Sequence, residues 1–129
     1  MINLYINERR VGDVTILDLK GRPRVGGTTV ALHRSIRALL NEEKPLILLN
    51  LFGVTHIDSC GLGEIVASFV TARARGGDIK LLQVTETLQE LMSMTNLLSI
   101  FEVYENERDA LASFATHTLS VKKPQHFFV

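Results

Sequence analysis

His56-Ile57-Asp58-Ser59-Cys60-Gly61-Leu62-Gly63 gathers an imidazole, a carboxylate, a hydroxyl and the one thiol of the chain within eight positions. Each could carry a different chemistry. A serine nucleophile on a strand-to-helix elbow has glycine two positions before and two after it. Here Ile57 stands two before Ser59, and nothing in the sequence supplies a third group to orient His56 as a base. A small serine hydrolase is therefore the weaker reading, and no residue is assigned as catalytic. Cys60 reads as a small buried hydrophobe rather than a redox centre. The imidazoles at His33, His56, His117 and His126 show no metal-ligand spacing and have one cysteine to help them, so no metal site is expected.

A different use of the segment follows from its place at the start of a helix. Asp58 and Ser59 can cap the unpaired N–H groups of a first turn. Gly61 and Gly63 then fall inside that turn, where each glycine costs about 1 kcal/mol relative to alanine. Two of them imply that backbone approaches closely or that the surface must stay flat. The helix start carries about half a positive charge and tolerates an anion. A phosphate on Ser59 would add about −1.5 to −2 charges there. The fold could accept that charge, whereas a protein pressed against the surface could not. Spacing alone leaves Ser59 as a plain cap or as a modifiable hydroxyl on an interface, and favours the cap.

The elements that position this segment are legible from periodicity. Ile2–Asn7 alternates apolar and polar, Gly12-Asp13 marks a turn, and Val14–Leu19 alternates again, which predicts an N-terminal hairpin. Gly21–Gly27 is a loop. Gly21-Arg22-Pro23-Arg24-Val25-Gly26-Gly27-Thr28 has the outline of a phosphate loop, but Gly27 replaces the lysine and Pro23 removes an N–H, so no nucleotide is assigned to it. Thr28 or Thr29 is expected to cap a helix with Leu32, Ile36, Leu39 and Leu40 on one stripe, stopped by Pro45. Leu46–Leu51 is apolar at nearly every position, the mark of a central strand covered on both faces. A loop over Phe52–Asp58 leads to a helix with Leu62, Ile65, Val66, Phe69 and Val70 inward, ending at Gly76-Gly77.

Ile79–Val84 predicts a further strand. Thr85 or Thr87 is expected to cap a third helix, Thr87 with Glu90 as a capping box, and Leu88, Leu91 and Met92 form its apolar face. Ile100–Tyr104 predicts the last strand, and Asn106 the cap of a final helix with Ala110, Leu111 and Phe114 inward. The order β-β-α-β-α-β-α-β-α makes the fold class α/β: a mixed central sheet of about five strands, an N-terminal hairpin followed by alternating strand and helix, packed against about four helices. Residues 1–115 form one domain, and 116–129, ending Phe127-Phe128-Val129, form a C-terminal tail.

Composition narrows the function. With 129 residues and a hydrophobic fraction of 46%, the chain can build one core without a disulfide or metal. Lys plus Arg equals Asp plus Glu, so the formal charge is zero, which argues against nonspecific nucleic-acid binding. No apolar run approaches the ~20 residues of a membrane span and no signal-peptide h-region opens the sequence, so a cytoplasmic protein without membrane insertion is expected.

Asp58-Ser59-Cys60-Gly61-Leu62-Gly63 resembles the D-S-[S/T/C]-G-L-G segment of the STAS-domain anti-sigma-factor antagonists. Val14–Gly21, similar to a second strand ending in L-x-G, and the elements through Ile100–Ala112 agree with that family in order and spacing. The resemblance implies that Ser59 is a phosphoacceptor. It implies an ATP-binding anti-sigma-factor serine kinase of histidine-kinase-like fold as partner, and a PP2C-type phosphatase that reverses the reaction. The unphosphorylated protein would hold the anti-sigma factor and so release a sigma factor, and any nucleotide would belong to the kinase. No cofactor is implied for this chain.

The partner surface would centre on Asp58, Ser59, Cys60, Gly61, Leu62 and Gly63, with the Gly21–Thr29 loop and its Arg22 and Arg24 beside it. In the family an acidic residue often stands about where Arg24 does; two arginines there suit a more acidic partner or an anion. A constitutive STAS subunit of a signalling scaffold or lipid-transport complex is the alternative within the same fold.

Overall fold

Gly12, at φ 60, turns strand β1 (Leu4–Val11) back along β2 (Val14–Gly21). The two pair antiparallel from Val11 opposite Val14 to Leu4 opposite Gly21. The hairpin is thus the expected one, but β1 runs on through Glu8, Arg9 and Arg10. These polar residues sit on an edge strand, where one flank faces water, so ladder hydrogen bonds carry the strand right to the turn. Helix α1 (Gly27–Asn41), β3 (Leu46–Val54), α2 (Ser59–Ala74), β4 (Asp78–Leu82), α3 (Glu86–Met94), a short 3-10 turn (Leu97–Ser99), β5 (Val103–Tyr104) and α4 (Glu107–Val121) follow. This computed structural model describes the backbone of residues 4–21, 27–54, 57 and 59–121. Side chains are described for the same residues except 4, 27–29, 59 and 116–121.

The five strands lie in the order β1-β2-β3-β4-β5, with β2, β3, β4 and β5 parallel. Alternation along each strand divides two core layers. Leu17, Leu19, Ile47, Leu49, Leu51, Ile79 and Leu81 face one side with α1, α2 and α3. Val14, Ile16, Leu48 and Leu82 face the other, under Ala110 and Phe114 of α4. Burial on both faces is why β3 and β4 read as continuous apolar runs.

Several boundaries differ from expectation. Phe52, Gly53 and Val54 belong to β3, not to a loop. Across an irregularity between Asp18 and Lys20, Gly53 and Val54 continue pairing with Lys20 and Gly21. Gly53 permits this because a Cβ there would come within 2.8 Å of the Leu19 carbonyl oxygen. Helix α1 begins at Gly27, which places Thr28 and Thr29 inside its first turn rather than at its cap. It ends at Asn41, before Pro45: Glu43 takes φ 60 and the Lys44 N–H donates to the Leu39 carbonyl, closing the helix with a left-handed residue.

Val70 on α2 is 59% exposed, because the buried face instead turns through Ile65, Ser68 and Ala72. Strand β4 stops at Leu82. Thr85, not Thr87, caps α3 by accepting from the Leu88 N–H. Thr87 lies within the helix, so no capping box forms. The last strand shrinks to Val103–Tyr104, since Phe101 leaves the ladder to bury its ring 5.0 Å from that of Phe69. Asn106 does cap α4, accepting from the Asp109 N–H at 2.8 Å. Helix α4 continues past Ala115 to Val121.

The α2–β4 link is tight. Gly76 adopts φ 82, and the Gly77 N–H donates to the Ala72 carbonyl at 2.8 Å. A Cβ on Gly77 would lie 2.3 Å from Pro45 Cβ and from its carbonyl oxygen. Gly77→Ala is therefore expected to destabilise the fold by about 1–3 kcal/mol, because backbone must move to admit one carbon. A denaturation midpoint equal to that of the parent would contradict this packing.

Candidate functional site

The β3–α2 connection is pinned at both ends. Val54 and Ile57 are buried before it and Leu62 is buried after it, all in the layer shared with α1. Helix α2 starts at Ser59. This is the carboxyl edge of a parallel sheet, where loops are held by a rigid scaffold and left open to partners.

Of the eight positions singled out in the sequence, Cys60 and Gly63 are exposed and Gly61 and Leu62 are buried. Cys60 is thus an exposed thiol, not the buried hydrophobe expected: the helix turns it away from the layer that takes Leu62. Asp58, His56, the side chain of Ser59, Arg22 and Arg24 lie outside the described residues, as do the side chains of Thr28 and Thr29.

Two features of α2 bear on what this face can do. No acidic residue occupies its first turn, the place where Asp or Glu commonly offsets the helix dipole. Beyond its chain neighbours and its own helix backbone, Gly63 has no described atom within 4 Å of where its Cβ would be. No crowding among the described residues explains this glycine, although it sits in a helix and lowers helix stability.

Glu64, the first carboxylate on α2, is directed away from that end. Its Oε2 lies 3.0 Å from His33 Nδ1 of α1 and accepts from the Ser68 hydroxyl at 2.8 Å. Arg37 reaches Thr71, and Arg75 donates to the Leu40 carbonyl at 2.7 Å, so polar contacts lock α2 against α1 along its length. The sequence reading missed His33 and Glu64, since 31 positions separate them and neither falls in a motif.

The opposite face of the sheet holds two polar groups, one half-buried and one buried. Arg9 donates to Asp18 at 2.6 and 3.0 Å and to Glu107 at 2.8 Å, while Asn50 donates to Asp18 at 2.8 Å. The Arg9 guanidinium holds the Asp18 carboxyl below the usual carboxylate range, with Asn50 and Asn7 helping and partial burial opposing. Lys80, 2% exposed, donates to Ser113 at 2.9 Å, pairs with Glu102 at 3.2 Å and stands 4.9 Å over the Phe114 ring. Burial, and then the carboxylate of Glu102 that accepts its proton, raise the Tyr104 phenol above its ordinary range. These groups fasten α4 to the sheet and are satisfied by one another.

Among the described residues, no group of three or more His, Cys, Asp or Glu side chains is placed to hold a metal ion, and no helix is long and apolar enough to cross a membrane. The family described as STAS domain matches residues 5–110. The anti-sigma F factor antagonist of Paenibacillus polymyxa is 26% identical over 110 residues, which are 85% of this chain and 94% of that protein. An anti-sigma factor antagonist from Mycobacterium paratuberculosis superposes with a TM-score of 0.77 at 20% identity, over 87% of this chain and 94% of its own. The Bacillus cell fate determinant SpoIIAA, in its phosphorylated form, does so with a TM-score of 0.69 at 16% identity, over 84% and 98%. At such identities the two structures speak for the fold.

Proposed function

The chain belongs to the STAS domain family, and from that premise we propose that it is an anti-sigma factor antagonist whose docking face is the start of α2, switched by phosphorylation of Ser59. Such a module is not an enzyme; it binds partners. The observation that carries the reading is Gly63: exposed, helical, and with no described atom beyond its own helix to make room for. A surface kept flat at a cost in helix stability is a surface kept flat for another protein.

The switch follows from charge. A serine kinase that is itself the anti-sigma factor holds ATP against this face and transfers the γ-phosphoryl group to the Ser59 oxygen; ADP leaves, and the hydroxyl proton passes to a base of the kinase. The product carries about −1.5 to −2 charges at a helix end that stabilises them. The host fold is undisturbed. The partner would have to desolvate that charge and releases instead. A PP2C-type phosphatase restores the hydroxyl, the antagonist rebinds the anti-sigma factor, and a sigma factor is freed for transcription. The setting is the cytoplasm. Arg22 and Arg24 contribute to the same surface, on the loop that follows β2.

The test is to incubate the protein with its cognate anti-sigma kinase and ATP. One phosphate per chain is expected, at Ser59, and none in Ser59→Ala. Ser59→Asp is expected to weaken kinase binding at least about tenfold, the effect of one uncompensated interfacial charge. A Ser59→Ala protein still labelled would refute the site. Unchanged affinity of Ser59→Asp would make the face a constitutive docking surface, as in a scaffold subunit.

A further inference from the structure

A cleft of about 620 Å³ opens at the same carboxyl edge of the sheet, beyond the β3–α2 connection, where β3, β4 and β5 end and α3 begins. Its walls include Phe52, Gln83, Glu86, Gln89, Tyr104 and Glu105. Phe52 is 70% exposed although it stands within β3, so one face of its ring is offered to whatever enters. Glu86 and Glu105 are the charged groups among the described lining residues, none of which is a lysine, arginine or histidine. The nearest buried cation, Lys80, is committed to Ser113 and Glu102.

The cleft is also held open by a strained residue. Gln83 takes φ 55, a conformation that side chains other than glycine seldom adopt. It donates through its backbone N–H to the Tyr104 carbonyl at 2.7 Å and through Nε2 to the Glu105 carbonyl at 3.0 Å. Those two bonds fix the end of β5 against β4 and keep Tyr104 and Glu105 at the rim. A volume of this order suits a small ligand or one to two side chains.

An aromatic wall with two carboxylates that pair with no described cation, and with amide groups, recognises a cation that is flat and rich in N–H donors. A guanidinium stacks on such a ring and donates to carboxylates at once, better than a hydrated ammonium. We propose that this cleft is a second docking site, which takes an arginine side chain on a basic segment of the protein partner that meets the start of α2. Charge complementarity argues for that occupant, and its position on the same edge lets one partner cover both. The partner's identity rests on the function proposed above; the chemistry of the cleft does not.

The experiment titrates the full chain with the peptide acetyl-Gly-Arg-Gly-amide and follows backbone amides by NMR, with the citrulline peptide as an uncharged control of the same shape. Saturable shifts at Phe52, Gln83, Gln89 and Glu105 are expected for arginine. Glu86→Gln with Glu105→Gln is expected to weaken binding about fivefold, as for loss of two exposed ion pairs. Phe52→Ala is expected to weaken it about threefold through the lost ring. Equal shifts with citrulline, or none with arginine, would overturn the proposal. So would tetramethylammonium binding as tightly as the peptide, which would make this a site for small organic cations. The titration uses neither kinase nor ATP. Its failure leaves Ser59 switching intact, and failure to label Ser59 leaves the cleft intact.

Discussion

Phe114→Ala is expected to remove about 3–5 kcal/mol of folding stability, a large part of the 5–15 kcal/mol that a domain of this kind has. Phe114 is 1% exposed and sits in the thinner of the two core layers, where α4 alone among the described helices covers Val14, Ile16, Leu48 and Leu82. The truncation removes more than apolar contact. Lys80 stands 4.9 Å over the ring and donates to the neighbouring Ser113, so a void would open beside a buried ammonium. Water entering to solvate it would loosen the helix it helps to hold. Chemical denaturation with a two-state fit measures the loss. A change below about 1 kcal/mol would mean that some other part of the chain covers this face. Val70→Ala, on the exposed side of α2, serves as the control and is expected to stay within about 0.5 kcal/mol of the parent.

Gly63→Leu is expected to do two opposite things. In the isolated protein it stabilises by about 0.8 kcal/mol, since leucine is a far better helix former than glycine and the space around the position is open. In the complex it weakens affinity for the anti-sigma factor by about 30–100-fold, because an interface packed flush against a glycine must part to admit a four-carbon side chain, at about 2–3 kcal/mol. A melting curve and a titration against the anti-sigma factor read the two effects separately. A variant that melts higher and binds as before would show that the start of α2 is not where the partner sits.

Most of the architecture was legible because period and punctuation agreed. The all-apolar Leu46–Leu51 and the Gly76-Gly77 stop each signalled its element without help from distant residues, and Asn106 signalled a cap that the structure contains. Misreadings came where long-range pairing overrode local pattern. Phe52 to Val54 look like the start of a loop, yet ladder bonds to β2 extend the strand. Ile100 and Phe101 look like strand, yet the ring of Phe101 gains more by packing on Phe69. Val70 continues an apolar stripe in sequence, while a face that includes Ser68 and Ala72 is the one that meets the core.

The candidate site was legible in part and for one reason: its residues are contiguous. Within it Gly63 is exposed and Leu62 is buried. Cys60 was assigned to the wrong side because residue type, not helix rotation, was used to place it. The His33–Glu64 contact and the cleft could not be read, since each is assembled from separate elements. A lysine in the middle of the apolar run Ile79–Val84 was the one local sign that the second core layer would carry a paired charge.

The strand order 1-2-3-4-5 has a consequence for how the chain is made. Every strand is hydrogen-bonded to the one completed just before it, so its neighbour has already left the ribosome when it emerges. Each connection closed along the way joins consecutive strands, which limits the entropic barrier of each step. The sheet can therefore grow one unit at a time during translation. The second face waits longest: Val14, Ile16 and Leu48 stay uncovered until α4, the last of the described helices, is out.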